Sequence, residues 1–160
     1  MNELVTIAEK IAAKLTERKQ TIAVAESSTG GLISAALLSV GGASAYFRGG
    51  SVIYTQYARS GFLEIPNPLP NGMRASSEPY AALLATTVRS RLGSTWGLSE
   101  TGATGPTGNR YGDAAGHTCI GLEGPNFSRA ITLETGSGDR VANMRAFSKR
   151  AMELLAEALG

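Results

Sequence analysis

Two segments rich in hydroxyls and glycines carry the residue types that could do chemistry. The first, Ala25-Glu26-Ser27-Ser28-Thr29-Gly30-Gly31, follows a β-branched run and precedes the apolar stretch Leu32 to Val40. A strand opening into a helix through such a turn has two physical uses. Backbone N–H groups at the helix start can bind an anion, helped by the helix dipole and by glycines that allow close approach. A hydroxyl on the same turn is also placed as a nucleophile, with N–H groups near by to hold an oxyanion. An ordinary helix cap and turn is the third reading of the same spacing. The second segment, Thr101-Gly102-Ala103-Thr104-Gly105-Pro106-Thr107-Gly108, also follows a strand-like run. In open α/β sheets ligands bind beyond the carboxyl ends of strands, so the two loops suggest one shared cleft. Neither ends in Gly-Lys-Ser/Thr, which argues against a P-loop nucleotide triphosphatase.

Other catalytic schemes find less support. His117 is the only histidine, and Asp113 and Asp139 are the only aspartates, so a Ser–His–Asp triad would need His117 as base. That histidine opens a strand two residues before Cys119, where packing is the simpler role. Metal sites need clustered His, Cys or carboxylates, and none is implied. The 11 glutamates are scattered, so Glu26 and Glu100 have no local reason to meet. Net charge is +2, with 11 Arg, 4 Lys and 13 acids spread along the chain, and no basic run interleaved with aromatics. Nucleic acid is therefore not an expected partner. No apolar run approaches membrane-spanning length, so no membrane partner is expected either. A lone cysteine rules out a disulfide framework and suits a reducing cytoplasm.

The elements that must position these loops follow from periodicity. Leu4, Ile7, Ile11 and Leu15 recur at helical spacing, which predicts an amphipathic helix over 4–18. Strands are expected over 21–25, 51–55, 95–100, 117–122 and 127–135, with Gly49-Gly50 introducing the second and Gly124-Pro125-Asn126 joining the last two as a hairpin. Helices are expected over 32–40, 56–63 and 78–92, the last capped by Ser77, and a loop fills the proline-rich 66–72. Asp139 caps a final helix whose Val141, Met144, Phe147, Ala151, Leu154 and Leu155 form one apolar stripe. Helices between strands, then a hairpin, imply a single three-layer α/β/α domain over 1–160, with a mixed, mostly parallel sheet and a C-terminal hairpin. With 20 Gly and 42% hydrophobic residues the chain suits a tightly turned domain of that size.

These motifs give the chain a resemblance to the C-terminal domain of the competence/damage-inducible protein CinA. Ala25 to Gly31 is similar to the family's A-E-S-C-T-G-G. Gly41-Gly42-Ala43-Ser44-Ala45-Tyr46-Phe47 and Gly49 to Tyr54 resemble its P/A-G-S-S-A-x-F and G-x-V-x-Y. Thr101 to Pro106 resembles its S/T-G-I-A-G-P, and Gly138-Asp139-Arg140 its G-D-R. The resemblance implies a metal-independent and cofactor-free amidohydrolase. Its substrate would be a small nucleotide-like molecule, nicotinamide mononucleotide, converted to nicotinic acid mononucleotide and ammonia. It also implies a homodimer. Carried onto this sequence, the nucleophile falls on Ser27, the strand tyrosine on Tyr54 and the G-D-R arginine on Arg140. Substrate-binding positions are Glu26, Ser28, Thr29, Gly30, Gly31, Gly102, Ala103, Thr104, Gly105 and Arg140.

One position departs from the pattern. The family's general-base lysine, in Y-S-N-x-A-K, falls on Arg59 in Tyr54-Thr55-Gln56-Tyr57-Ala58-Arg59. Arginine keeps its proton at neutral pH and cannot take one from a serine. No lysine lies between Lys19 and Lys149 to replace it. Two expectations follow. Ser27 acts with Glu26, Tyr54 or water as base and Arg59 as anion holder, or the cleft binds a pyridine nucleotide without efficient hydrolysis. Arg59 as a plain surface residue of its short helix is a further, structural reading.

Overall fold

Parallel pairing of three short strands founds the sheet in the structure, a computed structural model that describes residues 1–160. Strand β1 (Ile22–Glu26) lies between β2 (Phe47–Val52) and β3 (Trp96–Ala103), parallel to both. Strands β4 (His117–Gly124) and β5 (Phe127–Glu134) extend it as an antiparallel hairpin, giving the order β2-β1-β3-β4-β5. Only β4 opposes the common strand direction. The sheet is mixed, as expected.

Five helices cover the two faces: α1 (Asn2–Arg18), α2 (Leu32–Leu38), α3 (Gln56–Leu63), α4 (Glu78–Leu92) and α5 (Arg140–Leu159). Alternation along β1 assigns the faces. Ile22 and Val24 join a core of 21 buried residues under α1, α2 and α5, whereas Ala23 and Ala25 join one of 8 beside α3 and α4. The first face therefore carries most of the apolar burial, at roughly 1.5–3 kcal/mol for each large side chain. Small residues on the second face let α4 lie close to the strands. There Ser99 donates to the carbonyl of Ala81 at 2.6 Å.

Local chemistry sets the helix limits. Thr55, Ser77 and Asp139 accept backbone N–H bonds at the starts of α3, α4 and α5. Gly93 ends α4 in the left-handed region, at φ 60°. The structure corrects several boundaries. Strand β2 begins at Phe47 and ends at Val52, so Gly49-Gly50 lies within it rather than before it. Strand β3 continues to Ala103, taking the first residues of the expected loop. Val141 lies outside the apolar stripe of α5, at 55% exposure.

Candidate functional site

The loop after β1 is organised around two carboxylates that the strand register brings together. Pairing of β1 with β3 runs from Ile22↔Trp96 to Ala25↔Ser99, and the next residues of the two strands are Glu26 and Glu100. Both are fully buried. Thr29 Oγ1 stands between them, 2.7 Å from Glu26 Oε1 and 3.0 Å from Glu100 Oε2. The expectation that these glutamates have no reason to meet is thus corrected. Adjacent parallel strands with matched side-chain parity supply the reason.

Glu26 fills the anion site at the start of α2. Its carboxylate accepts from the backbone N–H groups of Gly31, Ile33 and Ser34 at 2.9–3.1 Å, and from the Ser34 hydroxyl at 2.7 Å. These are the donors a helix start leaves without intrahelical partners, and the dipole favours a negative charge there. The chain thus binds its own anion at this turn. Glu26, Thr29, Gly30 and Gly31 build the loop itself, while Ser27 and Ser28 between them line the two compartments of the cleft.

The cleft opens at the carboxyl ends of the parallel strands in two adjoining compartments. The first, about 260 Å3, is lined by Ser27, Tyr54, Arg59, Tyr80 and Gly102 among others. The second, about 230 Å3, is lined by Ser28, Tyr54, Gly102, Ala103, Thr104, Gly105 and Arg140 among others. Tyr54 and Gly102 belong to both. Gly105, at φ 104°, lets its loop turn against residues 136–138: a Cβ there would meet the Gly138 carbonyl at 2.9 Å. Buried Asn143 ties the same loop down, donating to the carbonyls of Thr104 and Ser137 at 2.9 and 2.8 Å. A larger hollow of about 530 Å3 lies elsewhere, between β2, Phe62 and Leu92, and is mostly apolar.

Two arginines face this cleft. Arg59 is only 9% exposed, which removes the reading of it as a surface residue. Its side chain donates to Asn67 Oδ1 at 3.3 Å and stacks over the Tyr80 ring, while its buried Nε has no partner. Arg140, the first residue of α5, donates to the Gly105 carbonyl and, at 3.4 Å, to the Tyr54 hydroxyl. Neither forms an ion pair. One guanidinium N–H, that of Arg59 Nε, is left unsatisfied.

The two serines differ in their surroundings. The Ser27 hydroxyl makes no side-chain hydrogen bond, and its backbone N–H donates to Glu100 Oε2 at 3.1 Å. The Ser28 hydroxyl lies 2.5 Å from Glu100 Oε1. Glu100 also accepts from Thr29 N at 3.0 Å and Thr118 Oγ1 at 2.9 Å. Burial pushes its carboxyl above the usual carboxylate range, against the pull of these hydrogen bonds. Glu100 is the functional candidate that sequence reasoning missed. The available signal was a charged residue at the end of an otherwise uncharged strand run, two residues before a glycine loop.

Residues 4–159 match the family model described as CinA C-terminal domain. A CinA-like protein of Chlorobium limicola is 36% identical over 151 residues, covering 92% of this chain and 35% of its own length. One from Gloeobacter violaceus is 39% identical over 132 residues, covering 82% of this chain and 31% of its own length. The chain thus spans about a third of the length of these curated relatives. Among solved structures, the competence/damage inducible protein CihA from Agrobacterium tumefaciens is similar with a TM-score of 0.90 at 26% identity, over 98% of this chain and 95% of that one. The competence or damage-inducible protein from Enterobacter asburiae gives 0.91 at 25% identity, over 98% of both chains.

Proposed function

The chain belongs to the CinA C-terminal domain family, and from that premise we propose that its cleft hydrolyses the carboxamide of nicotinamide mononucleotide, with a serine hydroxyl of the loop after β1 as nucleophile. The family pattern designates Ser27. In this reading the hydroxyl attacks the amide carbon, ammonia leaves, and water cleaves the resulting ester to nicotinic acid mononucleotide. The observation that carries the proposal is Arg59, a buried guanidinium without a counter-ion on the same compartment as Ser27. Such a group is costly to bury alone and is relieved by an anionic ligand such as a phosphate. Arg140 and Tyr54 line the second compartment, where they are suited to orient the rest of the ligand.

A second reading, a non-catalytic nucleotide-binding domain, is favoured by one specific observation: no side chain stands within hydrogen-bond reach of the Ser27 hydroxyl to take its proton. Ammonia release and calorimetry with nicotinamide mononucleotide, run in parallel, separate the two. Turnover supports the hydrolase; heat of binding without ammonia supports the binding domain. Arg59→Lys sharpens the comparison. If the missing base is what limits Ser27, the lysine raises ammonia release by up to about 10²-fold. An unchanged rate in a folded variant that still binds contradicts that limit.

A further inference from the structure

Ser28 has the partner that Ser27 lacks. Its Oγ lies 2.5 Å from Glu100 Oε1, the separation of a charge-assisted O–H···O⁻ bond, and Ser28 lines the compartment that holds Arg140 and Tyr54. We propose that Ser28 is the attacking hydroxyl of the cleft and Glu100 its general base. This rests on the amide-hydrolysing reading of the cleft and moves the attack from Ser27 to its neighbour.

Three features of the surroundings suit Glu100 to that task. Its other oxygen, Oε2, is fixed by the backbone N–H groups of Ser27 and Thr29, which aims Oε1 at Ser28. No cation pairs with it, so burial is opposed only by the hydrogen bonds it accepts, and its carboxyl lies above the usual carboxylate range. Besides Ser28, two threonine hydroxyls donate to it, and each has a second acceptor. Thr118 Oγ1 can turn from Oε1 to the Thr101 carbonyl, 3.1 Å away. Thr29 Oγ1 can turn from Oε2 to Glu26 Oε1, 2.7 Å away. The carboxyl can thus gain a proton without leaving a buried donor unsatisfied, which would cost about 1–3 kcal/mol. Its titratable neighbour is Glu26, joined through Thr29. His117 and Cys119 of β4 project to the opposite face, where both meet the Ser76 carbonyl.

The step balances with these groups alone. Ser28 Oγ bonds to the amide carbon as its proton passes to Glu100 Oε1. The C–N bond then breaks, and the same proton leaves on ammonia. Water attacks the acyl-serine as one of its protons passes to Glu100; the ester C–O bond then breaks as Glu100 returns that proton to Ser28 Oγ, and the acid product leaves as its carboxylate, its remaining proton going to solvent.

A fluorophosphonate probe tests the pair directly, because it forms a stable Ser–O–P bond with loss of fluoride and needs no nucleotide. Peptide mass spectrometry locates the label. The label is expected on Ser28, absent in Ser28→Ala, and formed at a rate that rises with pH as Glu100 loses its proton. In folded Glu100→Gln the rate falls by at least about 100-fold and loses that pH dependence. If Glu100→Gln does not fold, the wild-type pH profile and a slowed, still pH-dependent Glu100→Asp carry the test. Label on Ser27 or on neither serine overturns the proposal. So does a Glu100→Gln rate and pH profile like the wild type. Label on Ser28 without ammonia release supports the pair and overturns the amide substrate.

Discussion

The guanidinium carbon of Arg59 lies 5.6 Å from the centroid of the Tyr80 ring, and that aromatic face stands where a buried arginine ordinarily meets a carboxylate. The two contributions are unequal. A desolvated cation–π contact is worth about 2 kcal/mol, whereas burying an unpaired charge costs several. The shortfall is what an anion entering the first compartment removes.

Replacing Arg59 with methionine accordingly separates stability from binding. In the ligand-free protein, Arg59→Met leaves the thermal midpoint unchanged or raises it, since the buried charge is gone and the stem volume is kept. Affinity for nicotinamide mononucleotide falls by roughly 10- to 100-fold, the worth of one or two charge-assisted hydrogen bonds. Scanning fluorimetry and calorimetry report the two effects. A large drop in midpoint with unchanged affinity contradicts the assignment.

Glu26 behaves in the opposite way. Glu26→Ala strands three buried backbone donors at the start of α2 together with the Ser34 hydroxyl. Stability falls by about 2 kcal/mol or more, and Glu26→Gln loses less. Urea unfolding measures this. A loss under about 0.5 kcal/mol, the level of a surface change, would remove Glu26 from its role as the internal cap.

The contrast between these two residues shows what the sequence could reveal. Helices α3 and α4 were legible to the residue because caps and apolar periodicity are local. A shared cleft for the two glycine loops followed from the carboxyl-end rule, since each loop follows a strand. Strand β2 was misplaced because Gly49-Gly50 reads as a turn. Within the sheet Gly50 instead makes room for a helix side chain, since a Cβ there would meet Ser34 Oγ at 2.3 Å. The meeting of Glu26 with Glu100 and the burial of Arg59 depend on register and tertiary packing. Locally, only the lone charge of Glu100 at the end of an uncharged run stands out. The loop's serines were visible, but not which of them has a base.

His117 supplies a pH test away from the cleft. Its ring nitrogens face two acceptors, Glu134 Oε1 and the Ser76 carbonyl, and only the imidazolium can donate to both. Burial opposes the charge, but these hydrogen bonds together with Asp113 outweigh it and raise the pKa above the ordinary histidine value. A raised folded-state pKa gives stability that is fully present below the unfolded value, near 6.5, and lost as pH rises through the folded one. Urea midpoints of wild type and His117→Asn should therefore differ most at acidic pH and converge above neutrality. A gap that widens with rising pH contradicts this protonation state.

Ammonia release from nicotinamide mononucleotide by the purified chain is the most direct test of the cleft's proposed chemistry. Ammonia is expected in equal amount to nicotinic acid mononucleotide, and its release is abolished when both loop serines are replaced by alanine. No ammonia from folded protein that binds the nucleotide, or turnover surviving the double replacement, would contradict that chemistry.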